Sequence, residues 1–499
     1  MGWAATLRQE RTYQRHEPEK TLLYQVIQEN WNTFQNLAEK NREGAGLPTH
    51  VVREFESYLG CGILANGFVR VKCGDCKHEK LVAFSCKRRG FCPSCCSRRM
   101  NESAAHLVDR VLPQVPVRQY VLSVPMPLRF WMASNSGLTT QILAIMVRGI
   151  GGYLKKKARA AGHKGRVETG CVTLIQRYGG AINLNIHFHT LFLEGVYVIP
   201  LPGNNGEKAV FHELPPPTDQ EVSEVLATLQ RRIVRALVKR GLLSKEEENL
   251  DESDFFSGID PVVAAAQGAS VHNQIAFGEN QGQKVRKIGS FGQGAFEPEP
   301  AGPKCSNLGG FSLHANTAVH AQERGRLEKL CRYIARPPLS TERLFAMDDG
   351  RIGYWLKQAW RDGTKAVSFT PLELIEKLVA LVPQPRAHLT RFHGVFAPNF
   401  KFRAQVVPNQ SADKAMAGET AGERKPSPKE YRLTWAEMLK RVFRLDVSTC
   451  PDCGGKLKVI ASIMERNVIK EILSHLGFDT EPPGICPARP SPQAEFAFG

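Results

Sequence analysis

The sequence predicts an α+β fold with a central antiparallel sheet, on three observations. Residues 120–124, 170–176 and 184–193 are short apolar stretches with strand character. Residues 138–157, 218–241 and 320–335 carry helical patterns instead. Gly179-Gly180 supplies a turn between two of the strands.

Taken in chain order, Leu22, Leu23, Val26, Ile27, Trp31, Phe34 and Leu37 recur at helical spacing. Val51, Val52, Phe55 and Leu59 follow, so residues 1–60 read as a helical N-terminal region. Residues 61–105 are cysteine-rich and basic. The large α+β domain occupies 110–345 and includes a basic amphipathic helix with Arg231, Arg232, Arg235, Lys239 and Arg240. A glycine-rich loop is expected over 276–310. Pro337-Pro338 stop the helix that ends near Ala335. Residues 346–408 extend the domain and 409–429 have linker composition; 430–480 hold a Cys-Pro-Asp-Cys-Gly-Gly turn, and 481–499 are expected to be disordered.

The chain has 499 residues, and its 66 Lys and Arg against 49 Asp and Glu leave a formal charge of +17. That excess favours a polyanionic partner, nucleic acid first. No run of about 18 apolar residues is present, which argues against a membrane-spanning protein, and the N-terminus lacks a secretory signal. A cytoplasmic protein is therefore expected, whose thirteen cysteines are not a disulfide framework. Six of them, Cys73, Cys76, Cys86, Cys92, Cys95 and Cys96, fall within 24 residues. Such crowding points to metal.

Cys73-x2-Cys76 and Cys92-x2-Cys95, fifteen residues apart, match the spacing of a four-thiolate structural zinc site. Cys61, Cys86 and Cys96 are left over, which leaves room for a second zinc or a swapped ligand, Cys86 first. Lys87, Arg88, Arg89, Arg98 and Arg99 surround the cluster and suit phosphate contacts. Farther on, Cys450 and Cys453 are half of a zinc knuckle. His475 and Cys486 complete it poorly, so a metal-free turn is as good an expectation as a metal site.

Two motifs carry the chemistry. Strand alternation puts His187 and His189 on one face and Ile186, Phe188 and Phe192 on the other, which is the layout of two metal ligands on a rigid support. Tyr333 lies on a basic helix, with Lys329 four residues before it and Arg336 three after it on the same side. A phenol needs such positive charge, or a metal on its target phosphate, to act as a nucleophile. Arg332 and Arg336 are expected to hold DNA.

Together these residues resemble the rolling-circle transposases of the insertion sequence 91 family and the related common-region elements, within the His-hydrophobic-His endonuclease superfamily. The resemblance is carried by Ser85-Cys86-Lys87-Arg88-Arg89-Gly90-Phe91-Cys92-Pro93-Ser94-Cys95, by residues 172–178, by His187-Phe188-His189, by residues 330–338, and by Phe392-His393-Gly394-Val395-Phe396-Ala397-Pro398. It implies a transposase that nicks single-stranded DNA through a 5′-phosphotyrosine on Tyr333, with Mg2+ or Mn2+ on His187 and His189 and structural Zn2+ on the cysteines. The position four before Tyr333 is Lys329, so the chain resembles the single-tyrosine branch, and a second cleavage would reuse Tyr333 or draw on a second subunit. His314 is the first choice for a third metal ligand, with Glu194 and Gln322 as alternatives. A plasmid relaxase or replication initiator shares the chemistry. A non-catalytic zinc-dependent DNA-binding regulator would need only the cysteine module.

Overall fold

The computed structural model describes residues 16–40, 46–199, 208–243, 260–289, 302–408, 437–438, 441–442 and 447–489. The expected linker at 409–429 and the end of the expected tail, 490–499, lie outside them.

Two amphipathic helices, α1 (Leu22–Lys40) and α2 (Thr49–Leu59), open the described chain. Their apolar stripes meet through Trp31 and Phe55, whose rings stack at 4.2 Å. A hairpin of β1 (Phe68–Cys73) and β2 (Glu79–Ala83) follows, then α3 (Pro93–His106), started by a proline at its first position. Next come β3 (Val117–Ser123), α4 (Met126–Ser134) and the long α5 (Ser136–Ala160), capped by the Asn135 side chain. Strand β4 (Arg166–Glu168) precedes β5 (Gly170–Tyr178), β6 (Leu184–Leu193), β7 (Gly195–Ile199) and β8 (Val210–Glu213). Helix α6 (Asp219–Lys239) starts in a capping box between Thr218 and Glu221, and α7 (Pro261–Val271) starts at Asp260.

Strands β9 (Arg286–Ile288) and β10 (Cys305–Leu308) lie within the stretch expected to be a glycine-rich loop. They form there because Ala366–Phe369 and Phe311–His314 give their backbones ladder partners, which local composition does not reveal. After β11 (Phe311–His314) and β12 (Ala318–Val319) comes α8 (Arg324–Ile334). Strands β13 (Leu344–Ala346), β14 (Ile352–Trp355) and β15 (Ala366–Phe369) precede α9 (Pro371–Leu381), β16 (Thr390–Gly394) and α10 (Arg403–Val406). The C-terminal segment supplies β17 (Leu457–Ile463) and α11 (Arg466–His475).

All the strand pairs are antiparallel. The central sheet runs β10-β11-β3-β6-β5-β16, with β12 beside β3, as the α+β expectation requires. One face of it buries Ile186, Phe188, Phe192 and Cys171 in the core shared with α5. The other buries Val172, Leu174 and Leu191 against Leu327, Cys331 and Ile334 of α8. The central strands are therefore buried on both faces, and everything on the α8 side is positioned by register.

Gly394 shows how tightly the edge strand is seated. Its φ of +61° is left-handed, and a Cβ there would overlap the carbonyl oxygen of Thr169. Gly394→Ala is expected to destabilise the protein by about 1–3 kcal/mol, read as a shifted denaturation midpoint. An unchanged midpoint would mean that β16 can move off β5 at no cost.

Candidate functional site

The site is built on β6. Burying Ile186, Phe188 and Phe192, each at about 1.5–3 kcal/mol, forces His187 and His189 to the opposite face, where both are more than nine-tenths buried. Their Nε2 atoms converge to 3.0 Å. His187 Nδ1–H donates to the Asn185 carbonyl (2.8 Å), and the Gln119 amide on β3 caps Nδ1 of His189 (2.6 Å). With both Nδ1 atoms engaged, the Nε2 pair is what remains for a ligand. Adjacent ligands of an octahedral cation, each ~2.1 Å from the metal, stand about 3 Å apart, so the spacing fits Mg2+ or Mn2+. Burial pulls His187 down to about 4, with Arg336 and Arg129 adding and the Asn185 bond opposing. Burial, then His187 and Arg336, pulls His189 down to about 2. Both rings are neutral at pH 7, as metal ligands must be.

Helix α8 lies across this face, and two bonds from β5 fix its end. Gln176 Nε2 donates to the Ile334 carbonyl (2.7 Å), and the Tyr178 hydroxyl donates to the Arg336 carbonyl. Gln176 is the cross-strand partner of His187, so the bond that holds the helix starts beside the His pair. Tyr333 consequently stands edge-on to His189, with ring centroids 6.4 Å apart and planes at 89°. It is 41% exposed, open to a ligand on its outer side. The guanidinium of Arg336 and the ammonium of Lys357 each sit 4.6 Å from its ring centroid. Lys329 is exposed, and among the described residues no hydrogen bond, ion pair or ring contact joins it to Tyr333. The lysine over the phenol is Lys357.

The structure does not bring His314 to the pair. His314 pairs with Val121, which pairs with His189, so β3 lies between them and two strand spacings, about 9–10 Å, separate their backbones. The His314 ring instead meets Cys305 Sγ at 2.9 Å. Glu194 is taken by a buried ion pair with Arg118, whose Nε lies 2.7 Å from Oε1. Gln322 is exposed. Gln176, the cross-strand partner of His187, has a buried Oε1 without a hydrogen bond.

The cysteines form two clusters, and neither is the expected set of Cys73, Cys76, Cys92 and Cys95. Cys61, Cys86, Cys92 and Cys95 make one; Cys73, Cys76, Cys450 and Cys453 make the other. The reason is the length of the β1–β2 hairpin. Cys73 and Cys76 lie at its turn, whereas Cys61, Cys86, Cys92 and Cys95 lie at its open end. Strands of five or six residues hold those ends roughly 17–20 Å apart. In the first cluster Sγ–Sγ distances are 3.4 Å (Cys86–Cys95), 3.6 Å (Cys61–Cys92) and 3.7 Å (Cys61–Cys95). These suit a tetrahedral zinc with Zn–S of ~2.3 Å, for which sulfurs are about 3.8 Å apart. Cys96 turns away, with its thiol toward the Gly90 carbonyl.

Several of the basic residues are partly engaged by the protein. Arg88 donates to Ser57, Arg98 pairs with Glu102, Arg99 donates to the Lys87 carbonyl, and Arg332 lies 3.7 Å from Glu328. Arg89, Arg99, Gln176 and Arg336 line one crevice of about 120 Å³ between the cysteine module and the end of α8. It connects the two motifs that looked separate in the sequence.

Gln119, Gln176 and Lys357 escaped the sequence reading. Gln176 stands in the stretch 172–178, and the available signal was a polar residue on the strand face it shares with Val172 and Leu174. No local signal marks Lys357.

Residues 26–124 match a family described as transposase zinc-binding domain. Residues 170–403 match a family described as Putative transposase, which takes in the His pair and Tyr333. No curated protein and no solved structure matches the chain. Among the described residues no helix is long and apolar enough to cross a membrane.

Proposed function

Because the chain belongs to the insertion sequence 91-type transposases, we propose that it nicks and rejoins single DNA strands through a 5′-phosphotyrosine on Tyr333. The observation that carries this reading is the phenol held edge-on to a pair of neutral imidazoles whose Nε2 atoms converge. Held by His187 and His189, Mg2+ or Mn2+ would supply Lewis-acid polarisation of the scissile phosphate. Tyr333 Oη attacks phosphorus, the Tyr333–phosphate bond forms, and the P–O3′ bond breaks. The departing 3′ oxygen takes up a proton, the phenol gives one up to solvent, and the diester energy is kept for rejoining. Arg336 and Lys357 lie over the ring and favour the phenolate as it forms. The crevice lined by Arg89, Arg99 and Arg336 gives the strand a cationic path toward the cysteine module. The first cysteine cluster would hold a structural zinc. With Lys329 four residues before Tyr333, one tyrosine serves both cleavages, either reused or supplied again by a second copy of the chain.

The test is to incubate the protein with 5′- or 3′-labelled single-stranded DNA of the element ends and Mg2+, then run a denaturing gel. A covalent adduct that carries the 3′ label, with the 5′ label released on a shorter free strand, is expected, and both should be absent with chelator. Binding without an adduct would favour a non-catalytic regulator.

Gln119 gives a more selective test, since it touches the metal pair only through His189 Nδ1. Gln119→Leu is expected to weaken Mn2+ binding by roughly 10–100-fold, measured by calorimetry, without loss of fold. Unchanged affinity would remove Gln119 from any part in orienting the ring.

A further inference from the structure

We propose that Cys73, Cys76, Cys450 and Cys453 bind a second structural zinc that pins residues 447–489 to the N-terminal module. Cys450 and Cys453 lie outside both matched segments, so this site goes beyond the transposase reading. The sulfurs of Cys73 and Cys453 are 3.5 Å apart and those of Cys76 and Cys450 3.6 Å, with all four mutually within 4.8 Å. That is the span of a tetrahedral four-thiolate site.

The two Cys-x2-Cys turns are shaped for it. Backbone N–H groups of Asp75 and His78 donate to the Cys73 and Cys76 sulfurs, each at 3.4 Å, which favours thiolates. In the other turn Cys450 N–H donates to the Gly455 carbonyl (2.7 Å) and Gly454 has φ +75°. Gly455 packs directly against the Asp75 side chain, whose carboxylate would have to turn aside for any Cβ there, so the two turns sit in close contact. Gly74 N–H donates to the Lys456 carbonyl (3.1 Å), and His78 Nδ1 meets Asp452 at 2.8 Å outside the cluster.

A metal is also what the segment needs energetically. Strand β17 pairs with β1 from Phe68–Ile463 to Cys73–Leu457, yet among the described residues the fully buried core beneath it is four side chains, Leu64, Phe68, Ile469 and Leu473, with Leu81, Ile463 and Ile472 partly buried against them. Val459 and Ile460 remain exposed. Four side chains are too small a core to order a segment of this size, and zinc is the usual supplement. Once pinned, the segment reaches two other parts of the molecule. Its end, expected to be disordered, is docked on α1: Cys486 N–H donates to the Gln28 carbonyl (3.0 Å) and Asn32 to the Cys486 carbonyl (2.9 Å). Ahead of it, Arg441 bridges Asp109 and Glu328, the latter on the tyrosine helix, at 3.0 and 2.8 Å.

Zinc counted by native mass spectrometry on the full-length protein decides the matter. Two ions per chain are expected, falling to one in C450S/C453S, to one in C73S/C76S, and to one when all four are replaced. Hydrogen exchange of β1 and β17 should speed up together in each variant. A wild-type count below two overturns the proposal, even if the variants do not fold. So does a count of two that C450S/C453S leaves unchanged.

Discussion

Tyr333→Phe is expected to abolish covalent attachment to DNA, lowering strand cleavage by about 10⁴-fold or more, the scale on which loss of an enzymatic nucleophile is felt. The substitution deletes one oxygen from a ring that is 41% exposed, so no core contact is lost and the fold should be unchanged. Arg336 and Lys357 contact the ring face rather than the hydroxyl, and phenylalanine keeps that face. Single-stranded DNA binding should therefore survive with its salt dependence intact. The measurement is a denaturing gel of labelled DNA beside a binding titration of the same preparation. A retained adduct would exclude Tyr333, and Tyr178, Tyr197 and Tyr354 would become the candidates. Those three are buried, with burial raising each phenol above its ordinary range, which makes them poor nucleophiles beside Tyr333.

The parts of this molecule that were legible in the sequence are those set by short-range periodicity. The strand bearing His187 and His189 shows its two faces through Ile186, Phe188 and Phe192, and the tyrosine helix ends where Pro337 stops it. What was not legible depends on register between distant segments. His314 lies in a strand, as its sequence suggests, but not beside the His pair, because nothing local says that β3 inserts between β11 and β6. Gln119 and Gln176 look like any polar strand residue until pairing sets them beside the imidazoles. The cysteine spacing correctly signalled knuckles and misassigned their partners. Cys73 and Cys76 meet cysteines more than 370 positions away, and the hairpin that separates the ends of the module is itself a consequence of β17 and β2 pairing with β1.

Replacing His187 and His189 together by alanine is expected to remove metal-dependent nicking, a loss of ~10³-fold or more if the cation contributes several kcal/mol to the transition state. Neither ring belongs to the apolar core; Ile186, Phe188 and Phe192 on the reverse face hold the strand. What is lost besides the metal is a set of polar contacts to the Asn185 carbonyl and the Gln119 amide, with a cost of about 1–3 kcal/mol for groups left unpaired. The double variant should then fold, bind DNA, and fail to bind Mn2+ in a calorimetric titration. A further check uses pH. Since burial holds protonation of these rings at about 4 and about 2, Mn2+ binding by the wild type should show no step near 6.5, where a free imidazole gains its proton. Such a step would mean that the pair is open to water and that its burial in the folded chain does not set its charge. Metal-dependent cleavage at the wild-type rate in the double variant would end the role of the pair, because no other described cluster of metal-binding side chains lies beside Tyr333.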